Sequence, residues 1–159
     1  MQVTKNFKFS ELKITGIKSI NGKRVENNPK EREIINLCKL TFYLLQPIRD
    51  LIKAPLVIQS AFRSPAVNQA VGGAPSSQHI LGQAADIHCN TISKLDLFKM
   101  IGSQLDYDQL IYEVDANCLH VSYVDSGANR REIMIRDKID GKLVYTFLTK
   151  EELKNLHHV

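Results

Sequence analysis

The sequence predicts an α+β domain: a mainly antiparallel sheet with helices packed against it. Three observations predict it. Helical periodicity fills the stretch from Asn28 to Lys53, while short strand-like apolar runs dominate from Leu56 onward. Asp140-Gly141 stands between two such runs and is a strong hairpin signal. The chain has 159 residues, 43% of them hydrophobic and 24% charged. That suits one folded core rather than a disordered chain. Residues 1–159 are therefore read as a single domain, with 1–28 a lead-in packed on it.

In the lead-in, Phe7, Phe9, Leu12, Ile14 and Ile17 can lie over a core, Ser10-Glu11-Leu12 can start a short helix, and Asn21-Gly22 signals a turn. Asn28-Pro29 looks like an N-cap followed by proline at the first helical position. Ile34, Leu37, Cys38, Phe42, Leu44, Leu45, Ile48 and Leu51 then recur mostly three and four apart. They make one apolar face of a long helix ending near Lys53, which Pro47 should kink or split. Leu56–Ser60 reads as a buried strand, Pro65–Val71 as a short helix, and Gly72-Gly73-Ala74-Pro75 as a loop. Ala84–His88 is a second strand. Ser93 caps a helix over Lys94–Gln104, with Leu95, Phe98, Met100 and Ile101 inward. Gln109–Glu113 and Cys118–Tyr123 form a hairpin, and Glu132–Arg136 with Leu143–Phe147 a second one. Thr149-x-x-Glu152 is a capping box for a final short helix.

A net charge of +4 is too small to select a polyanionic partner, and basic residues neither cluster nor alternate with aromatics. No nucleic-acid groove is indicated. No apolar run approaches the roughly 18 residues of a membrane span. The first residues lack an apolar h-region, so no signal peptide is expected. Cys38, Cys89 and Cys118 are an odd number without C-x-x-C spacing, which reads as reduced thiols in a protein made in the cytoplasm.

The residues that could carry chemistry lie between Arg63 and Asp86, and around His120. His79 sits between Ser76-Ser77-Gln78 and Gly82, in bent backbone; Asp86 lies among alanines and isoleucine on a strand. A carboxylate in such company needs a cation or hydrogen bonds. A metal shared with His79 would satisfy both, and so would a structural His–Asp pair. Strand alternation puts Cys118, His120 and Ser122 on one face. A histidine, a carboxylate seven residues on and a distant second histidine can hold zinc with an open fourth position. Cys118 and His88 are substitute ligands ranked below His79, Asp86 and His120, and His157 and His158 are expected to be exposed.

Several segments together resemble the zinc D-Ala-D-Ala carboxypeptidase family. They are Ser60-Ala61-Phe62-Arg63-Ser64-Pro65, Asn68, Val71-Gly72-Gly73, Ser77-Gln78-His79-x-x-Gly82-x-Ala84-Ala85-Asp86 and His120-Val121-Ser122. The family includes bacterial carboxypeptidases and phage L-alanyl-D-glutamate endopeptidases, and the chain looks most like its single-domain, phage-associated branch. The resemblance spans roughly residues 7–148. It implies Zn2+ held by His79, Asp86 and His120 on one face of the sheet. It also implies that Arg63 anchors substrate or steadies an oxyanion, and that Ser77 and Gln78 shape the cleft. The implied activity is hydrolysis of a peptide bond in peptidoglycan stem peptides, at the cell wall, after release by a route other than a signal peptide. A monomer is the default expectation.

One position departs from the family. Many members carry an acidic general base three residues before the last histidine, where this chain has Asn117. Glu113 is assigned the role instead, with Asp115 second; a solvated strand-end carboxylate is the alternative for Glu113, and a surface salt bridge the alternative for Arg63. Two rival functions remain beside the enzyme: a zinc-retaining binding module, or a phage structural component using the same fold.

Overall fold

The computed structural model describes residues 1–159. In the lead-in, a 3-10 turn over Phe9–Lys13 places Leu12 in the core, and Asn21-Gly22 turns a small hairpin, β1 (Ser19–Ile20) and β2 (Lys23–Arg24). Both turn residues have positive φ, the conformation that Asn and Gly tolerate best. The lead-in is tied down by Asn27, which is buried. Its side chain donates to the carbonyls of Lys13 and Phe62 and accepts from the Ser64 N–H.

The long helix starts two residues later than the Asn28-Pro29 cap predicts. Helix α1 covers Glu31–Leu40, with Lys30 as its N-cap and Glu33 accepting the Lys30 N–H. The run is divided in two near Pro47, as expected, though it stays helical throughout. A π-helical turn, Thr41–Leu45, leads into α2 (Gln46–Ile52), and the proline falls in the first turn of α2. Phe42, expected inward, is 63% exposed, whereas Leu40 and Ile52 join Leu37, Leu44, Leu45 and Ile48 in the core.

The main sheet has six strands: β3 (Val57–Ser60), β4 (Ala84–His88), β5 (Gln109–Glu113), β6 (Leu119–Ser122), β7 (Glu132–Ile139) and β8 (Lys142–Leu148). Their spatial order is β3-β4-β6-β5-β7-β8. Every pairing is antiparallel except β5 with β7, which run parallel. The predicted class holds. The final hairpin is longer than the sequence suggests, and Asp140 and Gly141 turn it with φ of 50° and 77°. Helices α3 (Pro65–Ala70), α4 (Lys94–Gln104) and α5 (Lys150–Asn155) complete the chain, capped at Ser64, Ser93 and Thr149.

Strand alternation divides the sheet into two faces. Ala85, Ile87, Leu110, Leu119, Val121 and Ile133 point into the core shared with α1, α2 and α4. The opposite face carries Asp86, His120, Ile111 and Met134 in one cross-strand row, by register. No helix is long and apolar enough to cross a membrane.

Candidate metal centre

Two adjacent central strands bring the first pair of site residues together. Asp86 on β4 and His120 on β6 are directly opposed, so their side chains share the outer face. His79 arrives from the loop between α3 and β4, which folds back through successive tight turns from Ser77 to Gly82. Gly82 has φ of +69°, and a Cβ there would stand 2.6 Å from the Glu33 carbonyl oxygen. Only glycine lets this loop lie against α1.

The His79 ring is fixed in one tautomer. Its Nδ1 lies 2.6 Å from the Ala61 carbonyl oxygen, which can only accept, so Nδ1 carries the proton and Nε2 presents a lone pair. That Nε2 is 3.2 Å from His120 Nδ1 and 3.2 Å from Asp86 Oδ1, and His120 Nδ1 is 3.2 Å from Asp86 Oδ1. Three nearly equal edges form one triangle. Ligands about 2.0–2.1 Å from a tetrahedral zinc are separated by about 3.3–3.4 Å, so the observed triangle matches one face of such a tetrahedron. Without a cation, three acceptor-capable atoms this close would have to share protons or repel; a divalent metal satisfies all three. The residues therefore fit a zinc ion. Burial would raise the Asp86 carboxyl, yet hydrogen bonds and charge from His120 and His79 hold it far below the usual carboxylate range. It is an anion, as a ligand must be.

Arg63 holds the other Asp86 oxygen: its guanidinium bonds Asp86 Oδ2, and its Nε donates to Ser60 Oγ at 2.8 Å. That leaves Oδ1 directed at the two histidines. Cys118 and His88 stay outside the triangle. Burial, reinforced by Asp86 and Glu113, pushes the Cys118 thiol up to about 12, so it remains protonated and a poor ligand.

The triangle opens on a cleft of about 720 Å³, which Arg63, Ser77, Gln78 and Glu113 also line. Gln78 donates from Nε2 to Asp108 Oδ2 at 2.9 Å. Asp108 is only 1% exposed and also binds Arg130 through both carboxylate oxygens. Sequence reading missed Asp108; its one signal was an acidic residue abutting the apolar strand Leu110-Ile111-Tyr112.

The two candidate bases have different surroundings. Arg136 Nη2 lies 3.0 Å from both Glu113 Oε2 and Asp115 Oδ1. Glu113 is nearly buried and lines the cleft, whereas Asp115 is half-exposed and lies outside it. Burial, then the Asp86 charge, raises the Glu113 carboxyl above its ordinary value, although Arg136 opposes this. The Arg136 hydrogen bond lowers Asp115 instead. Lys94 fixes the intervening turn by donating to the Glu113 and Ala116 carbonyls at 2.7 and 2.6 Å.

A family model described as Peptidase M15 matches residues 5–122, well over half of the chain. The chain belongs to this family, that of the zinc D-Ala-D-Ala carboxypeptidases. No curated protein matches it.

Proposed function

We propose that this protein is a zinc-dependent peptidase that cleaves a peptide bond in peptidoglycan stem peptides. The observation that carries the reading is the triangle of His79 Nε2, Asp86 Oδ1 and His120 Nδ1 at 3.2 Å spacing, set in a cleft that the partly buried Glu113 carboxylate also lines. Membership of the Peptidase M15 family supports both the metal and the class of substrate.

Zinc held by His79, Asp86 and His120 would supply Lewis-acid chemistry in the cleft, polarising a carbonyl and making water more acidic. Glu113 acts as general base: its carboxylate takes the proton of the attacking water and delivers it to the leaving amine. Its raised proton affinity, from burial first and then the Asp86 charge, suits a group that must both accept and release a proton. Arg63 has two tasks. It holds Asp86 through Oδ2, and as a residue lining the cleft it has further N–H groups to donate to the substrate carbonyl or carboxylate. Gln78, steadied by Asp108, and Ser77 line the wall that positions the peptide.

Mass spectrometry of digested peptidoglycan, with and without a chelator, tests this. New peptide termini should appear and should vanish on chelation. Asn117, standing where many relatives keep an acid, favours one second reading, a binding module. Zinc-loaded protein that binds wall fragments but yields no new termini would establish it.

A further inference from the structure

The sheet ends differently on its two sides. Strand β3 at one edge is four residues long, distorted between Ile58 and Ser60, and flanked by the lead-in, whose Leu12 carbonyl accepts the Phe62 N–H just beyond the strand. Strand β8 at the other edge is seven residues long and regularly paired with β7 along its whole length. It carries none of the devices that usually blunt an edge: no proline, no bulge, and no charge beyond Lys142 at its start. Helix α5 does not cover it. It anchors Leu153 against Gly102 on α4 instead. Leu143 and Phe147 are 55% and 62% exposed, and Val144 and Tyr145 are exposed as well.

We propose that β8 pairs with β8 of a second copy, antiparallel about a two-fold axis at Tyr145, joining two sheets into one. The sequence is self-complementary in that register. Leu143 meets the partner's Phe147, Val144 meets the partner's Thr146, and Tyr145 meets its own counterpart. Lys142 faces the partner's Leu148, so no like charges oppose one another. Just beyond the strand, Asp140 at the turn comes opposite the partner's Lys150, giving two complementary ion pairs by symmetry. Opposed residues in an antiparallel ladder share a face. Leu143 and Phe147 therefore form an apolar cluster with their counterparts beside Tyr145, and Tyr145 already lines the cleft. Each chain has one such edge, so the pairing closes at two copies. A single pair of edge strands is a small contact, of the kind found in weak, concentration-dependent association.

Sedimentation equilibrium over a micromolar concentration series tests this. The parent chain should show a monomer–dimer equilibrium. L143K/F147K sets lysines against lysines and should sediment as monomer. L143K/F147E sets lysine against glutamate twice and should restore the dimer. The substituted side chains are exposed, so melting temperatures should stay close to the parent's. Amide exchange of residues 142–148 in the parent chain provides a second readout that needs no variant: protection should rise with protein concentration at alternate residues. A parent that stays monomeric throughout, association that ignores the charge pattern, or concentration-independent exchange in β8 would overturn the proposal.

Discussion

The two ends of the cleft are built on different principles. The His79–Asp86–His120 end rests on central strands and a glycine-locked loop, and each candidate ligand has a dedicated support: Ala61 for His79, Arg63 for Asp86, and the β4–β6 register for His120. The Glu113 end rests on a strand terminus and the turn after it, and a single guanidinium serves two carboxylates there. One end fixes atoms that could hold a cation; the other leaves a carboxylate partly buried, raised in proton affinity and only partly neutralised. Metal binding needs geometry, whereas proton transfer needs a matched pKa. If the comparison is right, substitutions at the two ends should fail in different ways.

The largest effect is expected at the triangle. Asp86→Ala removes one ligand and leaves Arg63 without its partner. Zinc content by atomic spectrometry should fall from one per chain to near zero, and hydrolysis should vanish. Arg63→Lys comes next. A lysine cannot bind Asp86 and Ser60 together, so metal affinity or turnover should fall by about 10–100-fold, the usual loss when a ligand's support is removed. Unchanged kinetics would mean that Asp86 needs no such support.

Asp108→Asn should affect stability more than chemistry. Burial would raise the Asp108 carboxyl, but Arg130 and Gln78 hold it below its ordinary value. A lowered folded-state pKa means stability that is present above the unfolded-state pKa and lost as pH falls through the folded one. Thermal melts should show the variant about 2 kcal/mol less stable at neutral pH. The gap to the parent should close in acid, below about pH 4. The smallest effect belongs to Asp115→Asn. It releases all of Arg136 to Glu113 without touching the cleft, and turnover should change by less than about fivefold.

Legibility in the sequence follows the same division. Strands β4 and β5 and helix α4 match their predicted limits because alternation, a serine cap and bounding turns act locally. The three candidate ligands could be named because their segments keep a family's spacing, and the fold brings them within 3.2 Å of one another. Glu113 and Asp115 could not be told apart by spacing. The strand end ranked Glu113 first; that Glu113 lines the cleft while Asp115 does not depends on how β5 sits beside the parallel strand β7, and a pairing between strands so far apart in the chain has no local signal. The outward position of Phe42, by contrast, was legible: five residues beyond Leu37, it falls about 140° round a helix of 3.6 residues per turn, off the face that Leu37, Leu44 and Ile48 share. Asp108 escaped notice because its partners, Gln78 and Arg130, lie 30 and 22 residues away.

The measurement that tests the division of labour most directly is zinc content and turnover on the same preparation of Glu113→Gln. Glutamine keeps the shape and removes the proton acceptor. The account predicts one zinc per chain, an unchanged melting temperature, and turnover lower by about 10²–10⁴-fold. Full turnover, or loss of the metal together with activity, would contradict it.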